Sequence, residues 1–203
     1  MDKIRDQMNS GARRIPTWVV YILCLLPAPY FFYLAATGGL GPDPVKPLEH
    51  KYGELALQLL IAGLCITPLR QHSGINLIRF RRTLGVLAFT YVTFHVLVWA
   101  VLDVQNMGRV IEDIIKRPYI TIGMAGFALL LPLALTSNNW SVRMLGPKWR
   151  KLHKATYLAV VLGGVHYIWL VKGIQLEPVI YMAVILGLLA MRLRGRKPAN
   201  VTA

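Results

Sequence analysis

Six stretches of the chain carry no Asp, Glu, Lys or Arg: residues 15–42, 55–69, 83–102, 118–142, 155–171 and 178–191. Each is apolar throughout rather than alternating, so the pattern predicts helices and argues against a barrel, whose strands would switch between apolar and polar at every residue. A helix rises about 1.5 Å per residue, and about 17–25 residues cross a hydrocarbon core roughly 30 Å thick. Four of the stretches have that length. The second and sixth reach it if Glu54, Arg70, Arg192 and Arg194 extend toward the headgroups. The reading is an all-α, polytopic membrane bundle of six transmembrane helices in a single domain over 1–203. The helices are placed at about 16–37, 52–70, 82–102, 118–137, 152–172 and 178–194. Hydrocarbon offers the backbone no partner, so each span must satisfy its own hydrogen bonds.

Composition agrees: 55% of the 203 residues are hydrophobic and 16% charged. The formal net charge of +14 would point a water-soluble chain toward nucleic acid. Here the basic residues sit between apolar runs, not on one folded face, so nucleic acid is excluded as a partner and the lipid bilayer takes its place. If the ends and loops are assigned alternately to two sides, seventeen of the 23 Lys and Arg fall on the side of the N-terminus, with only Asp2 and Asp6 among the acids. The other side holds Lys46, Lys51, Arg109, Lys116, Arg117 and Lys172 against seven acids. This asymmetry predicts that both termini are cytoplasmic.

The first run follows Arg13 and Arg14 but is too long for a signal peptide and lacks a small-residue cleavage site, so it reads as a retained helix. Pro27 and Pro29 should kink it. Cys24 and Cys65 lie within spans and read as small packing residues. The longest outer loops are 38–54 and 103–117. In the latter, Val110, Ile111, Ile114 and Ile115 share a helical face, which predicts a helix lying flat on the outer interface.

Ionisable groups within spans are costly and mark candidate functional sites. His95 lies 13 residues beyond Arg82, and His166 lies 13 beyond His153, on two helices that run in the same direction. Their imidazoles should stand level, in the outer half of the bilayer, with Trp99 and Trp169 just beyond them as interface aromatics. Two level imidazoles in an apolar bundle are what bis-histidine haem ligation requires, and a six-coordinate iron transfers electrons instead of binding substrate. His153, at the inner end of the fifth helix, is a candidate ligand of a second, inner haem. About 100° of turn per residue points it away from His166 on a straight helix, and Gly163 with Gly164 could supply a bend. His72 and His50 read as solvated loop residues. Arg79, Arg81 and Arg82 read as topology determinants, one of which could meet a haem propionate or a flavin phosphate. There is no Cys-x-x-Cys-His, so any haem is non-covalent haem b. A His-dependent proton or solute transporter, or a membrane anchor alone, are the other functions that such histidines leave open.

Residues 39–46 (GLGPDPVK), 79–95 (RFRRTLGVLAFTYVTFH), 117–123 (RPYITIG) and 149–172 (WRKLHKATYLAVVLGGVHYIWLVK) together resemble the MsrQ family. This is the haem-binding membrane subunit of the bacterial periplasmic methionine sulfoxide reductase system, within the ferric reductase-like transmembrane group. The resemblance implies a b-type cytochrome of the bacterial cell inner membrane that holds one or two haems. It would take electrons from the quinone pool or a flavin donor and pass them to a periplasmic molybdenum-containing reductase subunit. Catalysis then belongs to the partner, which repairs oxidised periplasmic proteins. It also implies FMN, for which no residue is indicated, and places His95, His153 and His166 at the family's candidate ligand positions. Ferric reductases of the eukaryotic type pair two histidines on the third helix, whereas Arg81 stands fourteen residues before His95.

Overall fold

The computed structural model describes residues 2–171, 173 and 175–194, all of whose regular structure is helical. Lys172, Arg196 and Lys197, counted above in the charge asymmetry, lie outside these residues. The chain opens with α1 (Asp2–Arg14), an amphipathic helix that the span pattern did not foresee because its apolar positions are few and interleaved with charge. The first span follows as α2 (Thr17–Leu25) and α3 (Pro27–Ala36), broken at Leu26 with Pro27 at the first position of α3. Proline lacks an N–H, so the ladder is interrupted where the kink was expected, although Leu26 keeps helical dihedrals (φ −51°, ψ −38°). The Tyr91 hydroxyl donates to the Cys24 carbonyl and the Tyr52 hydroxyl to the Ala28 carbonyl, both at 2.7 Å. Neighbouring helices thereby hold the backbone on either side of the break.

The second span is α4 (Val45–Ser73), 29 residues long and much longer than 52–70. It starts just after a turn through Gly41, at φ 94°. It ends on Gly74, at φ 73°, where the left-handed conformation closes a helix at no steric cost. Charge was the wrong stop signal. Lys46, Glu49, His50 and Lys51 are helical at its first turns, and His72 at its last, where its Nδ1 bonds the Pro68 carbonyl at 2.9 Å. His50 and His72 are therefore helix-end residues rather than loop residues.

The third span comprises α5 (Arg81–Leu97) and a π-helical turn over Val98–Val104. Trp99, at the start of this turn, is buried with Val110 and Ile120. Of the two aromatics expected at the interface level, Trp99 is buried in the core and Trp169 is exposed. The predicted surface helix is α6 (Met107–Lys116), capped by Asn106, whose side chain accepts from the Arg109 amide at 3.1 Å. Val110 packs inward while Ile111 and Ile115 face out.

Beyond it come α7 (Pro118–Leu135), two short helices α8 (Asn139–Leu145) and α9 (Pro147–Leu152) at the basic end, α10 (Ala155–Leu170) and α11 (Leu176–Arg194). Among the described residues, four helical runs are long and apolar enough to cross a membrane: Thr17–Ala36, Val45–Ser73, Ile78–Val104 and Pro118–Leu135. α10 runs unbroken through Gly163 and Gly164. Gly164 lies against Met182 and Ile185 of α11.

The core joins Leu57, Leu60 and Leu64 of α4 to Ala88 of α5, Leu130 of α7, Ala159 and Val160 of α10 and Ile185 of α11. Large apolar residues also cover the outside: Trp18, Leu23, Phe32 and Tyr33 are all more than half exposed. A water-soluble monomer rarely shows so continuous an apolar exterior, and hydrocarbon is the solvent that suits it. At the basic end α1 is tied to the 74–79 connection. Asn9 donates to the Gly74 carbonyl and accepts from the Asn76 amide, and Arg79 donates to the Ala12 carbonyl at the end of α1.

Candidate functional site

α4 packs most extensively on α5, and α7 on α10. These two pairs meet at the end of the bundle opposite the basic connections and enclose a cavity of about 930 Å³. That volume lies within the roughly 300–1,000 Å³ of sites built for organic ligands and cofactors. Its deep wall is apolar, formed by Leu57, Leu60, Leu130 and Ala159, and its mouth carries Lys46, Lys51, Glu54, Arg117 and Glu177.

His95 and His166 line this cavity, one from α5 and one from α10. Their ring centres are 6.1 Å apart and their planes stand at 82°. The level placement read from two 13-residue spacings thus brings the two rings together. Each ring is held from behind. The His95 Nδ1 lies 2.9 Å from the Glu49 carbonyl, and the His166 Nδ1 lies 2.7 Å from the Tyr119 carbonyl. A carbonyl can only accept, so each Nδ1 carries the proton and each Nε2 carries the lone pair. Both imidazoles are therefore in the tautomer that leaves Nε2 free to bind a metal.

Helix α4 passes the His95 ring, and α7 the His166 ring, at positions that have no side chain. A Cβ built at Gly53 would lie 3.0 Å from the His95 Nδ1, and one at Gly123 would lie 2.8 Å from the His166 Nδ1. Neither glycine nor either carbonyl was singled out from the sequence. A backbone acceptor has no residue signature, and a glycine within a span only hints at close approach.

His153 is elsewhere. It lies between α9 and α10 at the basic end, stacked on Trp149 with ring centres 3.9 Å apart, and its Nε2 lies 3.1 Å from the Thr136 hydroxyl. Burial first, and then the charges of Arg81 and Arg82, hold its pKa below the ordinary imidazole value. The structure does not bring it to the His95–His166 pair. Two of the three arginines are engaged elsewhere: Arg79 serves α1, and Arg82 donates to the Asn139 side chain at 2.7 Å. Arg192 was noted only as a span end. It donates to the Tyr157 hydroxyl and the Leu64 carbonyl, both at 2.7 Å, from a half-buried position.

A helical bundle of membrane character that brings two imidazoles together in one cavity defines the class, and residues 51–164 match the family described as Ferric reductase like transmembrane component. The chain is also 50% identical over 188 residues to the protein-methionine-sulfoxide reductase heme-binding subunit MsrQ of Brucella ovis, and equally to those of Brucella canis and Brucella suis. The alignments cover 90% of this chain and 86% of each relative. The chain belongs to the MsrQ family. No solved structure matches it significantly.

Proposed function

We propose that this chain is a six-span b-type cytochrome of the bacterial inner membrane, with both termini cytoplasmic, that hands electrons to a methionine sulfoxide reductase partner at the periplasmic face. The observation that carries the reading is the His95–His166 pair, with both Nδ1 atoms bonded away from the cavity. Imidazole nitrogens on opposite faces of one metal, each about 2 Å from it, put ring centres about 6 Å apart, and these stand at 6.1 Å.

Three further features fit the same group. Among the described residues, no set of three or more His, Cys, Asp or Glu side chains is gathered to hold a metal ion. Two imidazoles are too few for a bare ion but complete the coordination of one already held in a macrocycle. The cavity is large enough for such a ligand, and its deep wall is apolar. The relatives are named as heme-binding subunits.

His95 and His166 would hold haem b through Nε2. The Glu49 and Tyr119 carbonyls keep those rings in one tautomer and orientation, and Leu57, Leu60, Leu130 and Ala159 keep water from the deep side. A haem so bound stores one electron and has no coordination position open to substrate. The chain is then a relay, and the reduction of methionine sulfoxide belongs to its partner. The quinone pool as donor, FMN as a second cofactor and molybdenum in the partner enter this proposal through the family alone. His153 belongs to the inner side of the proposal. Its Nε2 lies 3.1 Å from the Thr136 hydroxyl and would hold an inner haem only by giving up that contact.

The test is the absorption spectrum of the purified protein. The expected result is a reducible, low-spin b-type spectrum with one haem per chain at the outer site, abolished or grossly altered by His95→Ala and by His166→Ala. An unchanged spectrum in both variants overturns the reading.

A further inference from the structure

The two histidines are anchored by the same device, used twice. The His95 Nδ1 bonds the carbonyl of Glu49, and the close approach of its ring is to Gly53, four residues further along α4. The His166 Nδ1 bonds the carbonyl of Tyr119, and its ring approaches Gly123, four residues further along α7. On a helix, residues i and i+4 lie one above the other on one face, so a side chain at the second position would cover the approach to the carbonyl of the first. A carbonyl has two lone pairs and can serve the helix and an imidazole together, provided that the imidazole can reach it. Glycine at the second position leaves that path open.

We propose that Gly53 and Gly123 are positioning residues for His95 and His166. By omitting a side chain, each lets one imidazole seat its Nδ1–H on the helix backbone, and together they set the orientation and basicity of the two rings. This rests on the haem reading above. A donated Nδ1–H makes the opposite nitrogen a stronger base, and a stronger axial base favours the ferric state, so the two notches lower the midpoint potential.

Other glycines of the bundle do not share this relation. Gly63 and Gly85 have no atoms within 4 Å of an added Cβ, and Gly126 has only ordinary contacts at 3.7 Å and beyond. Where Gly39 and Gly164 are crowded, the nearest atoms are the far ends of leucine and methionine side chains, which can move aside. The atoms crowding Gly53 and Gly123 belong to rings pinned at Nδ1. They cannot yield without lengthening the hydrogen bond.

The experiment uses the full chain in detergent with haem bound, in the variants Gly53→Ala and Gly123→Ala, with Gly63→Ala on α4 and Gly85→Ala on α5, neither of which lines the cavity, as controls. Electron paramagnetic resonance of the ferric protein reports ring orientation through its largest g value, and redox titration reports ligand basicity. Each notch variant is expected to shift the g value and raise the midpoint potential, or to lose haem several-fold more readily, with the larger effect in Gly123→Ala, where the approach is tighter. The controls are expected to keep the parent values. If one notch variant fails to fold, the other carries the test. Parent g values and potential in the folded notch variants overturn the inference, as do equal shifts in the controls. If the unsubstituted protein shows no low-spin signal, it is the haem reading that falls. A parent signal that the notch variants leave unmoved removes only the role of the glycines.

Discussion

The Tyr91 hydroxyl donates to the Cys24 carbonyl at 2.7 Å, bridging α5 to the broken first span from a position with no exposed surface. Tyr91→Phe keeps the ring and its packing but removes the donor. Leaving a buried carbonyl without it costs about 1–3 kcal/mol. The expected outcome is a lowered thermal midpoint in detergent with an unaltered haem spectrum. An unchanged midpoint would show that the break at Leu26 does not depend on this bond.

His153 is predicted to be dispensable for the outer haem. His153→Ala removes a hydrogen bond to Thr136 and a stack on Trp149, a loss on the order of 1–2 kcal/mol in stability. The visible spectrum of the protein should survive. Collapse of that spectrum on loading the variant would place His153 in the coordination of the outer iron.

Arg192 joins α11 to α4 and α10. Its two terminal nitrogens separately reach the Leu64 carbonyl and the Tyr157 hydroxyl, and its guanidinium lies 5.1 Å from the Tyr157 ring centre. A lysine head is a single point and cannot span both acceptors. Arg192→Lys should therefore destabilise by about 1.5–3 kcal/mol, the worth of one hydrogen bond from a charged donor. A double-mutant cycle with Tyr157→Phe tests this: additive effects on the thermal midpoint would deny the coupling.

Asn9 is the clip that holds α1. It meets the Gly74 carbonyl and the Asn76 amide with opposite ends of one side-chain amide. Asn9→Ala should free the connection at a cost of about 1 kcal/mol, so exchange of the Asn76 amide should quicken roughly fivefold. Equal exchange rates in parent and variant would mean that α1 is held by other contacts.

The break before Pro27, the helix between Asp103 and Arg117 and the level placement of His95 and His166 were all legible in the chain. Each depends on local chemistry or on helical rise, which a sequence states directly. The start of α4 was not legible. The pattern used charge to end a span, yet Lys46, Glu49 and Lys51 stay helical because their side chains can reach water from the first turns of the helix. Trp99 was placed by depth alone, whereas its spacing of four from the cavity-lining His95 puts it on the same inward face, where it is buried with Val110 and Ile120.

The sequence by itself determined that this is a helical bundle suited to a membrane, where apolar runs fall and which two histidines stand at one level. Hydrocarbon constrains length and polarity along a single dimension, and a chain carries that dimension openly. Only the tertiary structure decided that the two rings come together in one cavity, that His153 stands apart from them, and that Gly53 and Gly123 admit the imidazoles to the carbonyls of Glu49 and Tyr119. Those relations join residues some 46 and 47 positions apart through backbone atoms that every residue possesses. Helix packing alone selects which carbonyl meets which ring.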